Sequence, residues 1–429
     1  MQVPGFLSAM TFLQVSWIVT IWFTGVAPNV GKLPLLLGYS LACAVIVSRL
    51  PTRMLLTLRQ TVERLTQNEP RFLLIVGIVV GGIGSVYAYA QRGWPDESHI
   101  FAAARIVAEQ GLSSFFANYA QIPWLGVQHP PLVILLYGLL FSVFGPELLA
   151  PRLASFLLSL AVLWLTYRLG SELYDRSCGL LAAAWLLFTP FFFRVGTTAF
   201  IDMPVTFCFV LANFLTLRLL RRPTYWLAGG IGLCIGAGLL CKYTMVFIYP
   251  VVLFACLASG QLRLLIPYVT VIVLVSMSVL GVWLGYAAHL GVFAAQQKII
   301  TTRARSGLTT PIGRKWLLQV LSLRLPSGIG VYNLPLLFYG GWQLRQRRAR
   351  SDVFILVWIV AVFFPLMLTI PGPRYFLPAF PALAIAMARG FLCVGEGAER
   401  IVLLTLLYWL GALYLFVDWF RAAGSLFTR

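Results

Sequence analysis

Two acidic sites, 106 positions apart, lie in a chain that has only 13 acidic residues among 429. Asp96 and Glu97 follow an apolar run in Trp94-Pro95-Asp96-Glu97-Ser98-His99, and Asp202 sits in Ile201-Asp202-Met203-Pro204. Each lies at the mouth of an expected membrane helix, where a carboxylate is expensive to keep without a use. A carboxylate within reach of a hydroxyl can take its proton during attack, so these acids are candidates for general-base chemistry. Two acids on one face could also place an acceptor, or share a divalent cation through oxygen ligands. A structural reading stands beside each. Asp and Glu favour the first turn of a helix, and Asp202, two residues before Pro204, can cap one.

The candidate cations are scattered. His129 lies in Gln128-His129-Pro130-Pro131-Leu132, and both it and His99 could donate a hydrogen bond to a phosphate oxygen. Lys242 interrupts an apolar stretch, and a lysine at membrane depth calls for a partner. Arg374 precedes Tyr375 near the last spans, and the 287–324 connection carries Lys298, Arg303, Arg305, Arg314, Lys315 and Arg324. These can attract anionic lipid or polymer. They can also form a cationic site for a membrane-bound phosphate, where charge-assisted hydrogen bonds are strong. There is no P-loop, and Gly81-Gly82 with Gly84 falls inside an apolar span.

The elements that must hold these groups are membrane helices. The chain is 60% hydrophobic and only 10% charged, with a mean hydropathy of +0.88, against roughly 25% charged residues in a soluble domain. Backbone groups in lipid must be satisfied internally, and no period-2 barrel pattern occurs. The expectation is an all-α polytopic membrane protein. Spans are predicted at 5–26, 33–49, 72–90, 150–170, 178–196, 203–219, 225–241, 244–259, 264–286, 325–344, 352–371, 375–393 and 401–420, about 13 transmembrane helices. Residues 1–71 form an extra N-terminal hairpin with a linker, and 72–429 one membrane domain. The first apolar run lacks a basic leader, so it reads as a span and not a cleaved signal. The chain ends about nine residues after its last apolar run, and no soluble domain is expected to follow.

Orientation follows from the short connections. Those at 50–71, 220–224 and 345–351 are rich in arginine and fall on one side, which is therefore cytoplasmic. The 91–149 and 287–324 connections then lie outside. Pro130 to Gly145 is apolar but about 16 residues long, short of the roughly 20 that a span needs. Laid at the outer interface, it keeps Asp96 and Asp202 on one face. The helical pattern from Glu97 to Gln110 ends at Gly111, so the first outer loop is expected to hold two juxtamembrane helices. The net charge of +19 does not point to nucleic acid, because no basic soluble domain carries it. Seven scattered cysteines without a CxxC argue against a disulfide framework or a thiolate metal site.

Four blocks, in order, resemble the polyprenyl-phosphate-dependent membrane glycosyltransferases of the C type. The resemblance is to family 39 and its bacterial relatives, which include protein O-mannosyltransferases and transferases adding aminoarabinose or galacturonate to lipopolysaccharide. The blocks are Asp96-Glu97-Ser98-His99, His129-Pro130-Pro131-Leu132, Phe144-Gly145 with Arg152-Leu153, and Arg374-Tyr375-Phe376-Leu377-Pro378 with Pro381. Asp202 falls where that family has its second acid. Together they cover roughly residues 75 to 400. Departures are His99 and His129, where aminoarabinose transferases carry Arg and Lys.

The resemblance implies the C-type glycosyltransferase fold, with active-site loops on the periplasmic or extracellular face of a plasma (inner) membrane. It implies inverting transfer from a polyprenyl-phosphate sugar donor to a lipid, glycan or protein acceptor. Asp96 would be the base, Glu97 would orient the loop, and Asp202 would place the acceptor or bind a metal with Asp96. His129, Lys242 and Arg374 would serve the donor phosphate, with Tyr375 packing nearby; His99, Arg303 and Arg305 are candidates for the same phosphate from the residue reading alone. The leaving phosphate is already an anion and needs cations, not a proton. A transporter or flippase of polyprenyl-linked lipids is the alternative reading. It would need the basic residues but no catalytic acid, and the chain lacks paired broken helices in two repeated halves.

Overall fold

The computed structural model describes residues 3–24, 30–67, 84, 95–122, 128–260, 262–369 and 372–427. Among them the chain is helical and contains no strand. It opens with α1 (Val3–Thr24), α2 (Leu33–Arg49) and α3 (Thr52–Gln67). The first long connection carries α4 (Pro95–Ala117) and α5 (Leu132–Phe144). The bundle continues with α6 (Leu149–Leu173), α7 (Arg176–Leu187), α8 (Pro190–Gly196), α9 (Asp202–Arg221), α10 (Tyr225–Cys241), α11 (Ile248–Ala258) and α12 (Leu262–His289). Helices α13 (Phe293–Thr309) and α14 (Pro311–Gln319) fill the second long connection, and the short α15 (Leu325–Ile329) follows it. The chain closes with α16 (Leu334–Arg347), α17 (Arg350–Met367), α18 (Phe380–Leu392) and α19 (Glu399–Phe427).

Six of these helical stretches are long and apolar enough to cross a membrane, or seven if α7 and α8 count as one bent span. The predicted thirteen differ from this for local reasons. The 178–196 span breaks at Thr189-Pro190, where proline supplies no N–H to continue the ladder, and α8 leaves α7 at 72°. The 325–344 span is interrupted by a 3₁₀ turn at Val331–Asn333. The 375–393 span begins as a 3₁₀ segment at Pro373–Ala379, and 244–259 begins as another at Tyr243–Phe247. The 72–90 span lies outside the described residues apart from Gly84. Helix α3 was read only as a linker; it carries both apolar residues (Met54, Leu55, Leu56) and charged ones (Arg53, Arg59, Glu63, Arg64), a composition that suits a membrane surface.

The two juxtamembrane helices form where expected. Pro95 begins α4 with Asp96 and Glu97 in its first turn. Gly111 breaks the helix with φ of 83°, a left-handed value that a side chain resists. Helix α5 is 13 residues long, too short to span upright. Helix α1 contacts two later parts of the chain: Trp17 donates to Ser327 of α15 (2.8 Å), and Tyr408 of α19 donates to Thr11 (3.1 Å). All seven cysteines are free.

Helix direction divides the bundle into two ends. Helices α6 and α9 begin beside the acidic sites and finish together where Arg218 and Arg221 grip Glu172. Helices α10 and α17 run the other way: α10 ends at its cap Lys242, and α17 carries in its first turn Asp352, which accepts from Tyr174 at the end of α6 (2.8 Å). A twenty-residue helix is about 30 Å long, so the two ends lie on opposite sides of a bilayer-thick layer.

Candidate active site

Asp202 and Lys242 come first because they are the deepest pair. Asp202 occupies the first turn of α9, and Lys242 caps the carboxyl end of α10. Lys242 Nζ donates to Asp202 Oδ1 at 2.5 Å, with side chains 6% and 2% exposed. The lysine thus has the partner that its depth requires. It lies on a helix packed closely against α9, where a Cβ at Gly238 would sit 3.1 Å from Cys208, and α10 packs as closely on α12, where a Cβ at Gly232 or Gly236 would sit 2.8 Å from Val275 or Val279. The alternative reading of Asp202 as a helix cap does not hold. Its carboxylate makes no cap hydrogen bond and turns to the cations.

Arg374 joins this pair to Asp96. Its guanidinium contacts Asp96 Oδ2 through one terminal nitrogen and lies 3.4 Å from Asp202 Oδ2 through Nε. Arg374 stands on the 3₁₀ segment Pro373–Ala379, held by Trp358 Nε1 donating to Pro378 O at 2.9 Å. Aromatic rings flank the cations: Lys242 Nζ sits 3.6 Å over the Tyr375 ring and Arg374 5.0 Å over Phe200. Two carboxylates and two cations, from four separate parts of the chain, therefore form one cluster. Within it Asp202 is 2% exposed but Asp96 33%. Of the two carboxylates Asp96 is the one open to a molecule arriving from outside, and Arg374 beside it is 23% exposed.

Glu97 points away from that opening. It is fully buried, and its carboxylate grips Arg152 through two bonds, 3.1 Å to Nε and 2.9 Å to Nη2. It also accepts the backbone N–H of Ala199 at 2.9 Å. Ala199 lies in the turn just before Asp202, so Glu97 ties the first turn of α4 to the start of α6 and to the approach to α9. That clamp sets Asp96 against Asp202. Arg152 was quoted above within a motif but not as a site residue. The signal that finds it is the same as for Lys242: a cation in an apolar helix needs a partner.

The other predicted residues are placed as follows. His99 lies one turn after Asp96 on the same face of α4 and is exposed. His129 is 7% exposed, and its carbonyl accepts from Tyr119 at 2.6 Å. Burial pushes the Tyr119 phenol well above its ordinary value, so it remains a donor. Arg303 and Arg305 lie on α13, and their side chains are outside what the structure describes. Arg324 is buried with its guanidinium 4.2 Å over Trp316, and burial lowers it to about 10.

The expected divalent cation does not fit this arrangement. Arg374 occupies the place between Asp96 and Asp202, and the two carboxylates already face two cations. Among the described residues no group of three or more His, Cys, Asp or Glu side chains could hold a metal ion.

The comparisons now bear on this geometry. A family model described as dolichyl-phosphate-mannose-protein mannosyltransferase matches residues 128–284. The fold is similar to that of ArnT from Cupriavidus metallidurans bound to undecaprenyl phosphate, with a TM-score of 0.60 and 14% identity over 82% of this chain and 77% of that one. ArnT in the apo state gives 0.58 and 15%, over 75% of this chain and 60% of that one. The Archaeoglobus fulgidus oligosaccharyltransferase in the apo form gives 0.51 and 13%, over 82% and 56%. The chain thus spans only 60% of apo ArnT and 56% of the oligosaccharyltransferase. No curated protein matches it in sequence. Its fold is that of the membrane-embedded C-type glycosyltransferases, and the resemblance to the polyprenyl-phosphate-dependent members stated above is borne out.

Proposed function

We propose that this protein is an inverting glycosyltransferase that takes a sugar from a polyprenyl-phosphate donor and passes it to a hydroxyl acceptor. The observation that carries the reading is Arg374 bridging Asp96 and Asp202, acids 106 positions apart, in a cluster open at Asp96. In support, ArnT was solved bound to undecaprenyl phosphate, and the matched family model is described by a dolichyl-phosphate sugar donor. Residues 72–429 carry the transferase in this reading, and 1–71 add a hairpin. The carboxylate cluster faces outward, and the arginine-rich end faces the cytoplasm.

The residues divide the work as follows. Asp96 takes the proton of the acceptor hydroxyl as its oxygen forms the new bond to the anomeric carbon. The bond from that carbon to the phosphate oxygen breaks through an oxocarbenium-like transition state, and the phosphate leaves as an anion. Arg374 is already shared between two carboxylates. A donor phosphate gives it a third anionic partner beside Asp96, which brings the anomeric carbon next to the base. Lys242 stays with Asp202 and adds positive charge beneath. His99 and His129 lie at the same end as further donors to the phosphate, with Tyr375 packing against it. Glu97 positions Asp96 and does not touch the reacting atoms.

The test is transfer by the purified full chain from a polyprenyl-phosphate sugar. Asp96→Asn is expected to lower the rate about 10²–10⁴-fold, the usual contribution of a general base, without changing thermal unfolding in detergent. A variant with the wild-type rate would overturn the assignment. Mass spectrometry of glycolipids, polysaccharide and secreted proteins from cells with and without the gene names the sugar and acceptor together.

A further inference from the structure

A cleft of about 270 Å³ lies at the arginine-rich end, across the bundle from the carboxylate cluster. Four helix ends converge on it: Leu173 closes α6, Leu220 is next to last in α9, Ala258 closes α11 and Arg350 opens α17. The cleft therefore sits where these helices leave the apolar layer. Its inner wall is apolar, made by Leu217, Ala255 and Phe354, about one turn deeper than the helix ends. Its rim is polar, with Ser259, Arg350 and Ser351.

The charge at this rim is unbalanced. Glu172 alone faces Arg168, Arg218 and Arg221, at 3.6, 2.6 and 2.8 Å. Asp352 is committed to Tyr174 and to the Ala349 backbone N–H. Arg350 makes only one hydrogen bond among the described residues, a long 3.5 Å contact to Ser259 O. Three of the four helix ends here are carboxyl ends, whose dipoles repel an anion. An anionic occupant must therefore be held by the arginines, and Arg350 is the one at the cleft itself. An apolar slot beneath a cationic rim at headgroup depth matches a lipid with an anionic head.

We propose that this cleft binds one anionic glycerophospholipid, with its phosphate on Arg350 and an acyl chain between Leu217, Ala255 and Phe354. The site lies one helix length from Asp96 and is independent of the transfer reaction. The lipid closes the gap between α6, α9, α11 and α17 and neutralises the surplus positive charge at their ends.

The test is native mass spectrometry of the full chain in detergent, titrated separately with phosphatidylglycerol and phosphatidylcholine. Wild type is expected to retain one phosphatidylglycerol more tightly than phosphatidylcholine. Arg350→Gln should weaken that affinity about fivefold, the effect of one basic residue at a lipid surface. Ala255→Phe fills the slot and should abolish the bound lipid along with the rise in unfolding temperature that it gives wild type. Arg176→Gln, on the same face but outside the cleft, should change neither. Equal retention of both lipids by wild type, or an unchanged phosphatidylglycerol affinity in Arg350→Gln, overturns the proposal. The second outcome can be read even if Ala255→Phe fails to fold.

Discussion

Both ends of the bundle pair acids with arginines, yet the two sets differ in burial. At one end Glu97 and Arg152 are 1% and 2% exposed at the side chain and meet through two bonds. At the other, Glu172 is 10% exposed, but its partners Arg218 and Arg221 are 43% and 54% exposed. The difference teaches what each pairing can do. A buried pair has lost its water and holds its geometry because separating it strands a charge. A half-exposed pair is screened, and its arginines remain available to other anions. The first suits a site that must hold Asp96 in place, the second a face that meets headgroups.

Breaking the buried clamp gives the largest expected effect. Arg152→Ala leaves Glu97 without its cation and should cost about 3–5 kcal/mol, read as a large fall in unfolding temperature. Arg152→Met with Glu97→Gln removes both charges and should recover much of that loss, the coupling expected of residues in contact. A double variant as unstable as Arg152→Ala would show that the pair is not the unit described here.

Lys242→Met should cost less, about 2 kcal/mol, because Asp202 keeps Arg374 nearby. Its rate should fall as well, since positive charge is lost beneath the donor phosphate. Tyr119→Phe removes one buried donor from His129 O and should cost about 1 kcal/mol. Glu172→Gln, at the other end, should cost under about 1 kcal/mol, since its arginine partners are solvated, and the difference should vanish in high salt. A Glu172→Gln effect as large as that of Arg152→Ala would erase the contrast between the ends.

Much of the framework was legible in the chain. Apolar runs locate the long helices, and the shortness of Pro130 to Gly145 anticipates α5. Gly111 marks a stop because only glycine accepts that backbone angle without strain. Placing Asp96 and Asp202 at one end needed only span counting and the arginine-rich connections. Less visible were the 72° bend at Pro190 and the 3₁₀ starts at Pro373 and Tyr243. These depend on what packs beside each segment, and hydropathy averages over them. Helix α3 was missed because its apolar residues are few and belong to a surface, not to a span.

The residue types alone determined that this is a polytopic helical protein, that acids and cations cluster at its helix mouths, and that a buried lysine must find a counter-charge. Those follow from the cost of placing charge and bare backbone in lipid, which is local to each segment. Which partner each charge takes was decided only by the fold. Lys242 turns to Asp202, Glu97 to Arg152, and Arg374 to two carboxylates at once. These partners lie 40, 55, 278 and 172 positions apart, read from the residue numbers. No periodicity reaches that far, and helix packing alone brings them within reach.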